Sequence, residues 1–88
     1  MNKYRDKSYF EINELVSFSL GYVHTKSFDP CNNPADAMPI IIENGISMIK
    51  SSGGWICCHG VAGVIEHENL YRAAMELFLM MKDAENEK

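Results

Sequence analysis

One stretch in the middle of the chain constrains the fold more than any other. The pair Gly53-Gly54, preceded by two serines, separates a run of β-forming residues over 46–51 from a second run over 55–61. Glycine adopts the backbone conformations that tight hairpin turns require, and the first run alternates apolar with polar side chains. The sequence therefore predicts an antiparallel β-hairpin, and Val64-Ile65 predicts a third short strand after it.

A helix is predicted on each side of this hairpin. Apolar residues recur at spacings of three and four over residues 10–23, and Gly21 is the predicted end of that helix. The strongest amphipathic pattern covers residues 66–88 and begins at Glu68 or Asn69. Its apolar stripe consists of Leu70, Ala73, Ala74, Leu77, Phe78 and Met81.

Between the first helix and the hairpin lie a loop and a third, shorter helix. Residues 24–36 are dense in Asn, Asp and Pro, so they predict a long loop that either forms a contact surface or only connects two helices. A short helix is predicted over 35–44. Asp36 would cap its start, Pro39 would lie in its first turn, and Gly45 would end it.

Together these elements predict one small α+β domain over residues 1–88, with the C-terminal helix packed on the sheet. A chain of 88 residues, of which 47% are hydrophobic, has room for one core and not for two. Its polar ends, residues 1–9 and 83–88, are expected to be frayed, with a short edge element as the alternative for residues 1–9.

Charge and cysteine content narrow the function classes. The net charge of −4 disfavours direct binding to nucleic acid, because neutralising a phosphate backbone requires clustered Lys and Arg. The longest apolar run, residues 38–42, is far too short to span a membrane. The three cysteines are an odd number and do not have the spacing of a disulfide framework, and the charged N-terminus is unlike a signal peptide. Both observations predict reduced thiols in a cytoplasmic protein.

The segment Cys57-Cys58-His59 is the strongest candidate in the sequence for a metal-binding or catalytic site. Cys57 and His59 would share one face of a strand, where Cys31 and His67 are the candidates to join them as metal ligands. Against this, Cys57 and Cys58 point to opposite faces, and no ligand pair has zinc-site spacing. We interpret the cysteines as small buried residues and predict no metal, no cofactor and no enzymatic activity. A thiol nucleophile paired with a histidine is the remaining alternative.

The chain also resembles a known family. Its central segment, residues 33–46, reads Asn-Pro-Ala-Asp-Ala-Met-Pro-Ile-Ile-Ile-Glu-Asn-Gly-Ile and is similar to the loop and Pro-Ile-Ile segment of the NinX-like proteins of lambdoid phages. Three further features extend the resemblance over most of the chain. They are a helix over 12–23 that ends in a glycine, Trp55 in a strand, and the Ala-Ala-Met of residues 73–75. The family has no established activity, so it implies no catalytic residues. It implies a phage or prophage origin and action in the host bacterial cytoplasm.

From these observations we expect a small phage accessory protein that binds a host protein or ribonucleoprotein complex. The expected target is a host defence complex, as for anti-CRISPR or anti-restriction inhibitors, whose basic nucleic-acid groove an acidic surface would mask. The alternatives are a homodimer that pairs through its last helix and binds a small ligand, and a structural or regulatory phage protein.

The candidate partner-binding residues fall into two groups. The acidic group would form the surface that faces a basic partner. Leu79 and Met80 lie off the main stripe of the last helix, so they either meet the first helix or form an exposed patch. The full set is Asp29, Asp36, Glu43, Glu66, Glu68, Tyr71, Leu79 and Met80.

Overall fold

A three-stranded antiparallel sheet occupies the second half of the chain. The computed structural model describes residues 2–22, 27–60 and 62–86; the predicted helix end at Val23, the first part of the loop and the predicted strand end at Val61 lie outside them. The strands are β1 (Ser47–Ser51), β2 (Gly54–His59) and β3 (Gly63–His67), in the order β1-β2-β3. The predicted hairpin and the third strand are both confirmed.

Three helices accompany the sheet, as the sequence predicted. They are α1 (Tyr9–Leu20), α2 (Pro34–Glu43) and α3 (Leu70–Asn86). α1 begins after Ser8, which forms a reciprocal pair of side-chain-to-backbone hydrogen bonds with Glu11, and it ends at Gly21 with φ of 78°. The predicted glycine stop is confirmed. None of the helices in the described ranges is long and apolar enough to cross a bilayer.

The second helix starts earlier than predicted. The side chain of Asn33 accepts a hydrogen bond from the backbone N–H of Ala35 at 3.0 Å, and Pro34 takes the first helical position, where a missing N–H costs nothing. The predicted cap at Asp36 is therefore wrong, and Pro39 lies inside the helix instead of in its first turn.

α3 is the centre of the core. It packs on β2 and β3, while α1 and α2 pack on α3, and every residue from Arg72 to Leu79 is buried. Leu79 is only 3% exposed, and Tyr71 and Met80 are half-buried against the core. A helix enclosed by a sheet and two helices buries more than one stripe. Leu79 therefore packs inside the fold, which is the first of the two alternatives that the sequence left open, and it is wrong as a candidate partner-binding residue.

The N-terminal segment is held against α3 by a buried ion pair. The side chains of Arg72 and Glu76 are each 2% exposed, and the Arg72 Nε donates a hydrogen bond to the Glu76 carboxylate. The Arg72 Nη2 also donates to the carbonyl oxygens of Tyr4 at 3.0 Å and Lys7 at 2.8 Å. The expectation that this segment is frayed is therefore wrong.

The C-terminal turn of α3 is ordered by the same segment. Tyr4 is buried, its hydroxyl donates to the carboxylate of Asp83, and the Lys3 ammonium lies 3.3 Å from that carboxylate. Burial and then this carboxylate raise the pKa of Tyr4 above its usual range. Because α3 continues to Asn86, the expected fraying is also wrong for residues 83–86.

Candidate functional site

The two faces of the sheet differ in what covers them. The cross-strand row Met48, Cys57 and Ile65 faces α3 and belongs to the core. Because side chains alternate along each strand, the rows on either side of it point the other way. We call this second surface the outer sheet face. Its members are Ser47, Ile49, Ser51, Ile56, Cys58, Val64 and Glu66.

The outer sheet face is apolar and open at its centre. Ile49 is 53% exposed and Val64 is 63% exposed, with the half-buried Ile56 and Cys58 between them on β2. Within the part of the chain that the structure describes, no helix covers this face, since α1 and α2 pack on α3 on the opposite side. Single exposed apolar residues are ordinary, but four on adjacent positions of one face form a patch of the kind that marks an interaction site.

One corner of the outer sheet face is acidic. The carboxylate of Glu66 on β3 accepts a hydrogen bond from the Ser51 hydroxyl of β1 at 2.8 Å. This bond joins the two outer strands across the hairpin end of the sheet, where the Glu66 Oε2 lies 3.7 Å from the position of a Cβ added at Gly53. Lys50 lies on the opposite face, where its ammonium is 5.7 Å from the Trp55 ring and donates to the backbone carbonyls of the hairpin turn. No described cation therefore pairs with Glu66.

The other acidic candidates divide by exposure. Glu43 and Glu68 are exposed, while Asp29 and Asp36 are half-buried. The remaining described cations lie in the N-terminal segment and α3, which also carry the acidic residues Asp6, Glu76, Asp83 and Glu85, so the charges there are mixed. These cations are Lys3, Arg5, Lys7, Arg72 and Lys82.

The described part of the loop before α2 is tied into the fold. The Asn13 Nδ2 donates to Asp29 at 2.7 Å, and the Asp29 N–H donates to the Asp36 carboxylate at 2.9 Å. The Asn13 Oδ1 accepts from the Cys31 N–H, and the Asn69 Nδ2 donates to the Cys31 carbonyl at 2.9 Å. The two aspartates thus join α1 to α2, and Cys31 joins α1 to the residue before α3, which favours the connecting role for this loop. Sequence reasoning missed Asn13, because nothing in a helical pattern indicates which loop will meet it.

The cysteines and histidines do not converge on one point. Cys57 is fully buried with its Sγ 3.7 Å from the carbonyl oxygen of Leu70, and Cys31 is fully buried near the carbonyl of Tyr9. Burial raises the pKa of Cys57 to about 11 and that of Cys31 to about 12. Over residues 2–22, 27–60 and 62–86 no three His, Cys, Asp or Glu side chains are placed to hold a metal ion, and His24 lies outside these ranges.

Comparison with known proteins supplies the relationship that the geometry alone does not. A family model described as "Bacteriophage P22, NinX" matches residues 3–82, almost the whole chain. The chain belongs to the NinX family. The resemblance first found in the central segment is confirmed, and this NinX-family chain is a small bacteriophage accessory protein. Neither the curated proteins nor the solved structures contain a match to it.

This chain exposes its three thiols unequally, which gives a first test of the outer sheet face. Cys58 is half-buried on that face, whereas Cys31 and Cys57 are enclosed and have raised pKa values. Because the reactive species is an accessible thiolate, we expect a maleimide to modify Cys58 alone in the folded protein and all three cysteines after denaturation. Mass spectrometry of peptide digests checks this, with Cys58→Ser as the control. Fast modification of Cys57 in the folded protein would contradict the assignment of faces.

Proposed function

We propose that this NinX-family protein acts by binding a host protein through its outer sheet face. The observation that carries the proposal is the open apolar patch around Ile49, Ile56 and Val64. Removing apolar surface from water contributes roughly 25 cal/mol per Å² before the costs of association. Interfaces typically combine such an apolar centre with a polar rim, and Ser47 and Glu66 supply a rim here.

The proposed target is a host defence complex, of the class that anti-CRISPR or anti-restriction proteins inhibit. Such complexes bind nucleic acid through basic grooves, which the exposed carboxylates of Glu66 in β3 and Glu68 just after it would complement. An inhibitor that masks a surface needs neither a cofactor nor a catalytic centre. Its place of action under this proposal is the host bacterial cytoplasm, where phage accessory proteins meet such complexes.

The central test replaces one apolar side chain of the outer sheet face. Ile49→Asp is expected to weaken binding to the host partner by at least about 1.4 kcal/mol, or tenfold, because a carboxylate loses its water when the patch is covered. The matched control is Ile42→Asp, the same change at a 71% exposed residue near the end of α2. Tagged proteins recover the partner from host cytosol, and calorimetry with the purified partner then measures the affinities.

Three outcomes would count against the proposal. Equal affinity of Ile49→Asp and the unaltered protein would remove the outer sheet face as the binding surface. Recovery of no stoichiometric partner would contradict binding to a host protein. The target class is tested separately by plating phage, with and without this gene, on hosts that carry or lack a defined defence system. If the gene raises the plaque count by the same factor on the hosts with and without the defence system, defence inhibition is excluded.

A further inference from the structure

Glu66 is the single charged side chain among the members of the outer sheet face, and no cation within residues 2–22, 27–60 and 62–86 pairs with it. Glu66 is exposed and accepts one hydrogen bond, from Ser51 at Oε2, which leaves Oε1 and further lone pairs available. Lys50 is turned to the opposite face and bonded to the carbonyls of Ser51 and Gly54. A partner that covered this face with apolar groups alone would bury a carboxylate without compensation, which is strongly unfavourable.

We infer that the partner presents an Arg or Lys side chain to Glu66, next to an apolar side chain that covers Val64. This inference rests on the proposed function and adds the chemistry of the partner. An arginine fork suits the site best, because Ser51 already orients the carboxylate and leaves its second oxygen free for a two-point contact.

The spacing of Val64 and Glu66 defines the shape of the partner segment. The two residues lie two positions apart on β3 and on the same face, so their side chains are about 7 Å apart. Consecutive same-side residues of an extended segment have this spacing, and β3 is an edge strand with no further strand of the described chain beside it. A segment with the pattern apolar–any–basic, laid along β3, matches both side chains and leaves Ile49 and Ile56 for the adjoining part of the partner.

The test uses a short peptide as the probe. Acetyl-Thr-Val-Thr-Arg-Thr-Val-Thr-amide is titrated into the isotope-labelled full chain, beside a peptide with Glu in place of Arg. We expect the Arg peptide to shift the amide signals of Val64, Glu66 and their β2 neighbours, and to bind at least about fivefold more tightly than the Glu peptide. Glu66→Gln is expected to remove this preference, and Glu85→Gln, at an exposed glutamate near the end of α3, is the matched control that keeps it.

The outcomes separate this inference from the proposed function. Equal binding of the two peptides, shifts elsewhere on the protein, or no shifts at millimolar peptide would each overturn it. Concentration-dependent shifts of the same residues without peptide would assign the face to a second copy of the chain and would also overturn it. If the host partner requires Ile49 but binds Glu66→Gln as tightly as the unaltered protein, the proposed function stands and the inference fails.

Discussion

Replacing Arg72 with methionine is expected to lower the free energy of unfolding by about 3–5 kcal/mol. The substitution leaves the buried Glu76 carboxylate without its cation and removes the donor that binds the carbonyls of Tyr4 and Lys7. A loss of that size is a large fraction of the roughly 5–15 kcal/mol that stabilises a typical domain. Urea unfolding followed by circular dichroism measures it.

Two further variants separate the charge from the packing. Lys82→Met removes one member of a surface pair on the same helix, whose side chains are 33% and 57% exposed, and it is expected to cost less than about 1 kcal/mol. In the double variant Arg72→Met/Glu76→Leu the buried charge disappears, so part of the lost stability returns. The carbonyls of Tyr4 and Lys7 still lack their Arg72 donor in the double variant, so the N-terminal segment is expected to be cleaved faster than in the unaltered protein, which limited proteolysis measures. An Arg72→Met protein as stable as the Lys82→Met protein would contradict the role of the buried pair.

The second large effect is expected at the start of β2. A Cβ added at Gly54 would lie 2.5 Å from the carbonyl oxygen of His67 and 2.7 Å from the Cα of Glu68, and the residue has φ of 144°. Both neighbours are backbone atoms that cannot move aside by a rotamer change. Gly54→Ala is therefore expected to destabilise the fold by roughly 2–6 kcal/mol, combining backbone strain with overpacking.

The adjoining glycine provides the control for this prediction. A Cβ at Gly53 meets only the Glu66 Oε2, at 3.7 Å, which is an ordinary contact. Gly53→Ala is therefore expected to change the urea midpoint far less than Gly54→Ala. The two midpoints are compared under identical conditions. Equal midpoints would show that β2 does not approach residues 67–68 as closely as described.

Features that depend on local chemistry were predictable from the sequence. The hairpin follows from Gly53-Gly54 between two β-forming runs, and the end of α1 follows from Gly21, because only a few residue types adopt those backbone conformations easily. The family relationship followed from the central segment in the same way. The start of α2 was placed too late because Asn33 and Asp36 are both good capping residues, and the pattern alone did not separate them.

Features that depend on neighbours distant in sequence were not predictable. The pattern of α3 left open whether Leu79 meets the first helix or forms an exposed patch, and the neighbours of α3 on several sides bury it. Residues 1–9 were expected to be frayed, since nothing near them in the chain indicates that Arg72 binds the carbonyls of Tyr4 and Lys7. The same holds for Asn13, whose partners lie 16 and 18 residues away.

The sequence by itself therefore determined the elements, their order and the family, because turns, caps and periodicity act over a few residues. It also named Glu66 as a candidate, from its charge alone. Only the tertiary structure decided that Glu66, Val64 and Ile49 share one open face. Both faces of the hairpin carry apolar β-forming residues, and the face that α3 covers is set by packing between distant segments.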